Sequence, residues 1–256
     1  MNNSLFLAKK TKEWQCAYLS SDFVPNLKVE DQKGDIRKFY KILWDYIPDS
    51  DSKVLKWIGE EIGEISQKLK AEIILGMESS GIHYAALAAI HAKKAFGFIR
   101  KSKKDYGLKR IIEGSFGKRK EVLLVDNFVF TGGTILRGVN TLEDYGLKLK
   151  GVVSVDCFDN LRKVDGFKNL PFTSLVKNSE KINTLLKLGY FPGKLTPFIK
   201  KYVNSPDLYF APSKIHEEYV SILSSFSKLK FVVLQENREH KLGYKLLRKL
   251  NFLKKN

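Results

Sequence analysis

Val122-Leu123-Leu124-Val125-Asp126-Asn127-Phe128-Val129-Phe130-Thr131-Gly132-Gly133-Thr134 is the stretch on which the reading of this chain turns. Its first four residues are all apolar, which reads as a strand buried on both faces. The strand delivers an acid, Asp126, at its carboxyl end, and Thr131-Gly132-Gly133-Thr134 then opens a helix. In an open α/β sheet, ligands bind at the carboxyl ends of the strands. Thr-Gly-Gly-Thr suits an anion. The glycines let backbone N–H groups approach a phosphate, the hydroxyls donate further bonds, and the helix N-terminus adds positive potential. Asp126 lies beside that phosphate, placed to accept hydrogen bonds from sugar hydroxyls. The stretch is not a Walker A loop, because no Gly-Lys-Ser/Thr follows. The plainer alternative is a strand–turn–helix corner that uses glycine for geometry alone.

Working outward, short apolar runs alternate with helical stretches. Ala71-Glu72-Ile73-Ile74-Leu75 reads as a buried strand ended by Gly76, and 81–93 as an Ala-rich helix. Residues 95–99 read as a second strand, 134–145 as a helix, and Gly151-Val152-Val153-Ser154-Val155 as another strand. A short strand over 172–176 and a helix to about residue 188 close the series. Such alternation with near-continuous apolar strands predicts an α/β fold with an open, mainly parallel sheet flanked by helices. Residues 1–70 read as mostly helical with loops, since Phe39–Trp44 and Val54–Ile58 have helix-like apolar spacing. An irregular stretch holds Pro192, Pro197, Pro206 and Pro212, and 215–253 reads as helix, strand (230–234), helix. The expected organisation is an N-terminal helical segment (1–70), a core (71–188) and a basic C-terminal extension (189–256).

The opening motif resembles the binding motif for 5-phosphoribosyl 1-diphosphate (PRPP) of type I phosphoribosyltransferases. In that family four apolar residues precede two acids, a variable stretch, and Thr-Gly-Gly-Thr or a close variant. Asn127 stands where the family has its second acid. Asn keeps a carbonyl acceptor for a ribose hydroxyl and loses a negative charge that helps stabilise a cationic ribosyl centre. Leu75-Gly76-Met77-Glu78-Ser79-Ser80-Gly81-Ile82 resembles the family's pyrophosphate loop, commonly Gly-x-x-x-Gly-Gly-Ile, with Ser80 in place of one glycine. Arg100-Lys101-Ser102-Lys103-Lys104-Asp105-Tyr106-Gly107, followed by Ile112-Glu113-Gly114, narrows the resemblance to orotate phosphoribosyltransferases. Their mobile loop reads Arg-Lys-x-x-Lys-x-His-Gly, so Tyr106 replaces a histidine. From Lys93 to Lys120 there are 11 Lys or Arg and two acids. Cations on such a loop close over pyrophosphate as charge builds on the leaving group; the bland reading is a solvated basic loop.

The resemblance implies a catalytic set of Asp126, Lys104 and Asn127. It puts Phe130, Thr131, Gly132, Gly133 and Thr134 on the 5-phosphate. Gly76, Glu78, Ser79, Ser80, Gly81, Arg100, Lys101 and Tyr106 fall to the pyrophosphate. It also implies Mg2+ carried by PRPP oxygens and water, a nucleobase acceptor, and a homodimer with shared active sites. It covers about residues 70–160, extending towards 188. Beyond that it thins. Leu19-Ser20-Ser21-Asp22-Phe23 does not match the family's Ser-Gly-Arg-x-Ser-type segment, and Cys157 stands where an arginine contacts the orotate ring. An anionic base loses a bidentate cation there, while a lone Cys after an apolar strand is commonly core packing.

Composition bounds the rest. The chain has 256 residues, 43% of them apolar, with 18 Gly and 7 Pro, which fits a globular protein and excludes collagen-like or low-complexity classes. No apolar run approaches the roughly 18–20 residues of a membrane span, and residues 1–11 lack the apolar core of a secretory signal. Two cysteines, Cys16 and Cys157, are too few for a disulfide scaffold or a zinc site, so a reducing cytoplasm is the expected compartment. His83, His91, His216 and His240 are scattered and read as structural or surface residues. Lys and Arg total 45 against 28 acids, a net charge of +17. That charge fits a phosphate-bearing partner or a Lys-rich composition with no special partner, and alone decides nothing. Leu242, Leu246, Leu247, Leu250 and Leu253 line one face of a tail helix beside Lys241, Lys245, Arg248 and Lys249. That helix reads as docked on the surface or touching nucleic acid. The leading expectation is Mg-dependent phosphoribosyl transfer from PRPP to a base. The alternative is a PRPP- or nucleotide-binding regulator, or a mobile-element or defence module, that contacts nucleic acid through the basic loop and the tail.

Overall fold

Uninterrupted apolar runs make the central strands, and glycine, alanine and charged turns separate them. The computed structural model describes residues 2–20, 23–30, 36–40, 43–45, 47–102, 110–159, 163–205, 221–222, 225 and 232–233. In chain order its elements are α1 (Asn3–Trp14), β1 (Ala17–Ser20), β2 (Phe23–Glu30), β3 (Ile36–Tyr40), β4 (Leu43–Asp45), α2 (Ser52–Lys68), β5 (Ile73–Met77), α3 (Gly81–Ala92), β6 (Ala95–Ile99), β7 (Ile112–Glu113), β8 (Glu121–Val129), α4 (Gly133–Asp144), β9 (Lys148–Cys157), β10 (Phe172–Lys177), α5 (Asn178–Lys187), α6 (Thr196–Asn204) and β11 (Val232–Val233). They fall into two compact units, one built on Asp49–Asn178 and the other on Ser4–Pro48 with Ser179–Asn256.

The first unit is organised by a six-stranded sheet in the order β10-β9-β8-β5-β6-β7. Every neighbouring pair is parallel except β6 and β7. Successive side chains of a strand point to opposite faces, so the apolar runs supply two cores. On one face Ile73, Leu75 and Met77 of β5, Val122 and Leu124 of β8 and Val152 of β9 pack with Ile135 and Leu142 of α4. The alternate residues Ile74, Leu123, Val125, Val153 and Val155 are also fully buried. α3 packs on β5, β8 and β6, and α2 covers α3. The α/β fold with an open, mainly parallel sheet flanked by helices is therefore the one read from the sequence. Asp51 starts α2 by accepting the Lys53 amide at 2.8 Å, the usual device for satisfying a first-turn N–H.

The second unit corrects the reading of residues 1–70. α1 is present, but the described residues Ala17–Ser20, Phe23–Glu30, Ile36–Tyr40 and Leu43–Asp45 are strands, not helix. β1 pairs with β4 antiparallel and with β11 in parallel, and β2 pairs with β3. The aromatic and β-branched residues of this stretch, Tyr18, Phe23, Val24, Val29, Ile36, Phe39 and Tyr40, favour pleated backbone. Phe39–Trp44 was too short a run for apolar spacing to separate the two periods. Within this unit Lys12 donates to the Leu188 carbonyl at 2.6 Å, Ser4 to the Glu180 carboxylate at 2.9 Å, and the Tyr190 hydroxyl to the Ala17 carbonyl at 2.9 Å. The chain thus divides at 48/49 and 178/179, whereas the sequence reading put divisions at 70 and 188. The stretch read as irregular contains α6, because Pro197 lies in its first turn, where a missing N–H costs nothing. The strand read at 230–234 is β11, and the tail helix of 241–253 lies outside the described residues. Among the described residues no helix is long and apolar enough to cross a membrane.

Leu124 is fully buried in the central strand beneath α4. Leu124→Ala is expected to lower the unfolding free energy by about 2–5 kcal/mol, read as a shift of the urea midpoint. A midpoint within error of the parent's removes the sheet core from that position.

Candidate functional site

Because β5, β6, β8 and β9 are parallel, their carboxyl ends share one sheet edge, and each of the three sequence-predicted segments starts there. β8 buries Val122 to Val125 and ends its apolar run on Asp126, which is 8% exposed. The Asn127 amide donates to Asp126 Oδ1 at 2.8 Å. Burial nevertheless dominates and pushes the Asp126 carboxyl up to about 6, against the pull of the Asn127 amide, Arg137 and Lys101.

Past Val129 the chain turns through Phe130 and Thr131 into α4. Gly132 caps that helix at φ +95°, and a Cβ there would lie 2.2 Å from the Phe167 ring. Only glycine meets both conditions. No side chain caps α4, so its first amides point at whatever occupies the loop. The loop encloses a cavity of about 80 Å³ lined by Asp126, Phe128, Phe130, Thr131, Gly132 and Thr134, among others. That is room for several water-sized groups, such as the oxygens of one phosphate.

The loop after β5 comes against this cavity from the next strand. A Cβ on Gly81 would meet the Val125 carbonyl at 2.5 Å and the Asp126 Cα at 3.2 Å, so any side chain there would push the loop off β8. The Glu78–Ser79 peptide bond is cis. α3, which starts at Gly81, is also without a side-chain cap. The same sheet edge therefore carries two helix N-termini whose first amides no side chain caps. Ser79 is exposed and Ser80 half-buried. Glu78 is held at both its amide and its carboxylate. Its amide donates to the Ile99 carbonyl at 2.9 Å, and its Oε2 accepts the Lys101 amide at 2.6 Å. It ties the loop to the end of β6 through its amide and one carboxylate oxygen.

Arg100 is half-buried and held near Glu113, Nη1 to Oε1 at 3.9 Å, while Lys101 is exposed. Lys104 and Tyr106 lie outside the described residues. The structure thus gathers Asp126, Asn127, Phe130 to Thr134, Gly76 to Gly81, Arg100 and Lys101 at one edge. Cys157 is 5% exposed in the sheet core and burial pushes its thiol up, which fits packing.

Lys163 was missed from sequence. Its ammonium donates to the Phe130 carbonyl at 2.6 Å and to the Phe158 carbonyl, and the Val164 amide donates to the Thr131 carbonyl at 2.9 Å. Burial pulls the Lys163 pKa down. The segment after β9 thereby clasps the loop that enters α4. No local pattern marks Lys163, since both partners are reached only through the fold. Phe128, Phe130 and Phe158 form a cluster with ring centroids 5.1–6.3 Å apart.

No family model matches this chain. It is 33% identical over 139 residues to the orotate phosphoribosyltransferase of Staphylothermus marinus, covering 54% of this chain and 68% of that protein. Its fold is similar to that of Leishmania donovani UMP synthase, with TM-score 0.62 and 16% identity over 78% of this chain and 42% of that one. It is also similar in fold to the orotate phosphoribosyltransferase of Aeropyrum pernix, with TM-score 0.52 and 16% identity over 73% of this chain and 99% of that one.

The raised Asp126 carboxyl has a definite signature. The folded chain holds its proton more tightly than the unfolded chain, where it titrates near 3.8. Its contribution to stability is whole below about pH 4 and is lost as the pH rises through about 6. Asp126→Asn cannot ionise, so without ligand the variant is expected to gain on the order of 3 kcal/mol over the parent between about pH 4 and pH 8. Urea melts at both pH values check this, and a flat difference contradicts it.

Proposed function

Because this chain belongs to the type I phosphoribosyltransferase family, with a curated relative named orotate phosphoribosyltransferase, we propose that it transfers the 5-phosphoribosyl group of PRPP to a ring nitrogen of a nucleobase. The base nitrogen bonds to ribose C1, the bond from C1 to the pyrophosphate oxygen breaks, the electron pair leaves on pyrophosphate, and the base gives up its N–H proton to solvent. The observation that carries this reading is the cavity of Thr131, Gly132 and Thr134 at the start of α4, directly beside the buried Asp126. A 5-phosphate seated there meets the amides of α4 and two threonine hydroxyls. The ribose then lies over Asp126 and Asn127, whose oxygens accept hydrogen bonds from its hydroxyls. Asp126 is mostly ionised at neutral pH and stabilises the positive charge that develops at C1. Gly81 and its loop bring the α3 amides to the pyrophosphate, and Arg100, Lys101 and Lys104 neutralise it as it departs.

The donor set also bears on the metal. One buried carboxylate faces the cavity, and no cluster of three His, Cys, Asp or Glu is present among the described residues. That fits a hydrated Mg2+ that PRPP oxygens bring with them, since magnesium keeps several waters and takes few protein ligands. When bound, it would offset charge on the pyrophosphate. The same reading includes a homodimer that shares its active sites and works in the cytoplasm. Cys157 in the core supplies no cation for an anionic base, which favours an uncharged acceptor over orotate.

A second reading is a PRPP- or nucleotide-sensing regulator on the same fold. Asn127 favours it, because Asp126 is then the single carboxylate at the end of β8.

Pyrophosphate release from Mg-PRPP, with orotate, uracil, adenine, guanine and hypoxanthine offered singly, tests the proposal. Release with one base is expected. No release with any base, while PRPP still raises the melting temperature, favours the regulator. In the active case Lys104→Gln is expected to lower kcat at least about 10-fold with an unchanged melting temperature, as loss of a charge that acts on the leaving group requires. Gly132→Ala is expected to abolish the stabilisation by PRPP.

A further inference from the structure

The amino ends of the parallel strands lie at the opposite sheet edge from Asp126, and nothing in the proposed reaction uses them. The segments leading into β9, β8, β5 and β6 run side by side there. The Lys148 amide donates to the Lys120 carbonyl at 2.8 Å, the Glu72 amide to the Glu121 carbonyl at 2.8 Å, and the Ala95 amide to the Glu72 carbonyl at 3.2 Å. Strands about 4.8 Å apart make this a strip about 14 Å wide. Basic residues head or precede three of the four strands. Lys148 heads β9, Lys118, Arg119 and Lys120 precede β8, and Lys93 and Lys94 precede β6. All are exposed except Lys94, which is half-buried. A groove of about 450 Å³ runs among them, lined by Glu72, Lys93, Lys94, Ala95 and Arg119.

The two acids of the strip do not offset these cations evenly. Glu121 pairs with Lys150 at 3.4 Å. Glu72 accepts the amides of Lys120 at 2.8 Å and Glu121 at 3.3 Å. Those two bonds hold its carboxyl below the usual range. Glu72 therefore fixes the turn that presents Arg119, which is itself oriented by donating to the Phe116 carbonyl at 3.3 Å. Six like charges on so narrow a strip repel one another, and a polyanion laid along it relieves that repulsion.

We infer that this strip is a second binding surface, independent of the phosphoribosyl site, for the phosphodiester backbone of a double-stranded nucleic acid. Lys93, Lys94 and Arg119 line the groove while Lys118, Lys120 and Lys148 extend the charge along the edge beyond its lining, so together they match a row of phosphates better than a single anion. A duplex presents about one charge per 1.7 Å of axis. The groove's lining holds no aromatic ring on which an unpaired base would stack, as single-strand surfaces use. Binding of this kind reads charge and shape, not sequence.

The full chain is titrated into fluorescently labelled mixed-sequence DNA and RNA duplexes, with anisotropy read from about 50 to 200 mM salt. The parent is expected to bind a duplex. The triple variant Lys93→Gln, Lys94→Gln, Arg119→Gln is expected to bind at least about 10-fold more weakly, with the slope of log K against log salt reduced by about 2–3, near 0.9 for each lost phosphate contact. Its melting temperature and its stabilisation by PRPP are expected to match the parent's, which separates this surface from the phosphoribosyl reading. A second variant replaces Lys241, Lys245, Arg248 and Lys249 by Gln and is expected to bind like the parent. No duplex binding by the parent at about 50 mM salt, an unchanged affinity or slope in the triple variant, or loss of binding only in the tail variant each overturns the inference. So does capture by anionic phospholipid vesicles with no binding to duplex.

Discussion

The contact of Gly81 with the end of β8 sets the arrangement of everything else at the catalytic edge. Parallel register alone puts the carboxyl ends of β5 and β8 side by side. It does not decide how close the following loops come. With no Cβ on Gly81, the start of α3 settles against the Val125 carbonyl and the Asp126 Cα. Asp126 is then buried by its neighbours, which raises its carboxyl, while two helix N-termini open on the same small region. The buried acid and the uncapped amides set an acceptor and a group of donors side by side, which suits a sugar phosphate, whose hydroxyls and anionic end separate in just that way.

The part of the fold that was legible in sequence was the part where local pattern and tertiary role agree. Val122–Val125 and Ile73–Leu75 are apolar without interruption because both sheet faces are covered, and so strand, fold class and phosphate loop follow together. Residues 17–45 were not legible. Their aromatic and β-branched runs are short enough to satisfy either period, and the partner of β1 comes partly from β11, far along the chain. α6 was hidden by Pro197, which stops a helix from within but starts one from its first turn. Glu78 was assigned to the site by its position in a motif, and the geometry turns its amide and one carboxylate oxygen towards β6. Lys163 left no trace in sequence, since a lysine that donates to two carbonyls across the fold looks like any surface lysine until the fold is known.

Charge is distributed along the sheet's axis as well as in the total. At the carboxyl edge the positive potential comes mainly from backbone amides, reinforced by Arg100 and Lys101. At the amino edge it comes from side chains. Amide dipoles are fixed and short-ranged, and suit a ligand held in one pose. Flexible ammonium groups reach further and tolerate many poses, and salt screens them readily. The two edges thus carry two kinds of positive potential that respond differently to ionic strength, and only the side chains count in the net charge of +17.

The parallel pairing of β1 with β11, Leu19 beside Val232 and Ser20 beside Val233, carries a consequence for synthesis. A ribosome delivers residues 49–178 as one uninterrupted run, so the sheet unit has every strand it needs before the chain is finished. The other unit does not. Its first strands emerge early and then wait, with β1 lacking one neighbour until residues 232 and 233 leave the exit tunnel. Closing so long a loop is slow relative to local contacts, and an unpaired strand edge stays exposed for the whole delay. The order in which the chain is made therefore separates the maturation of the two units in time.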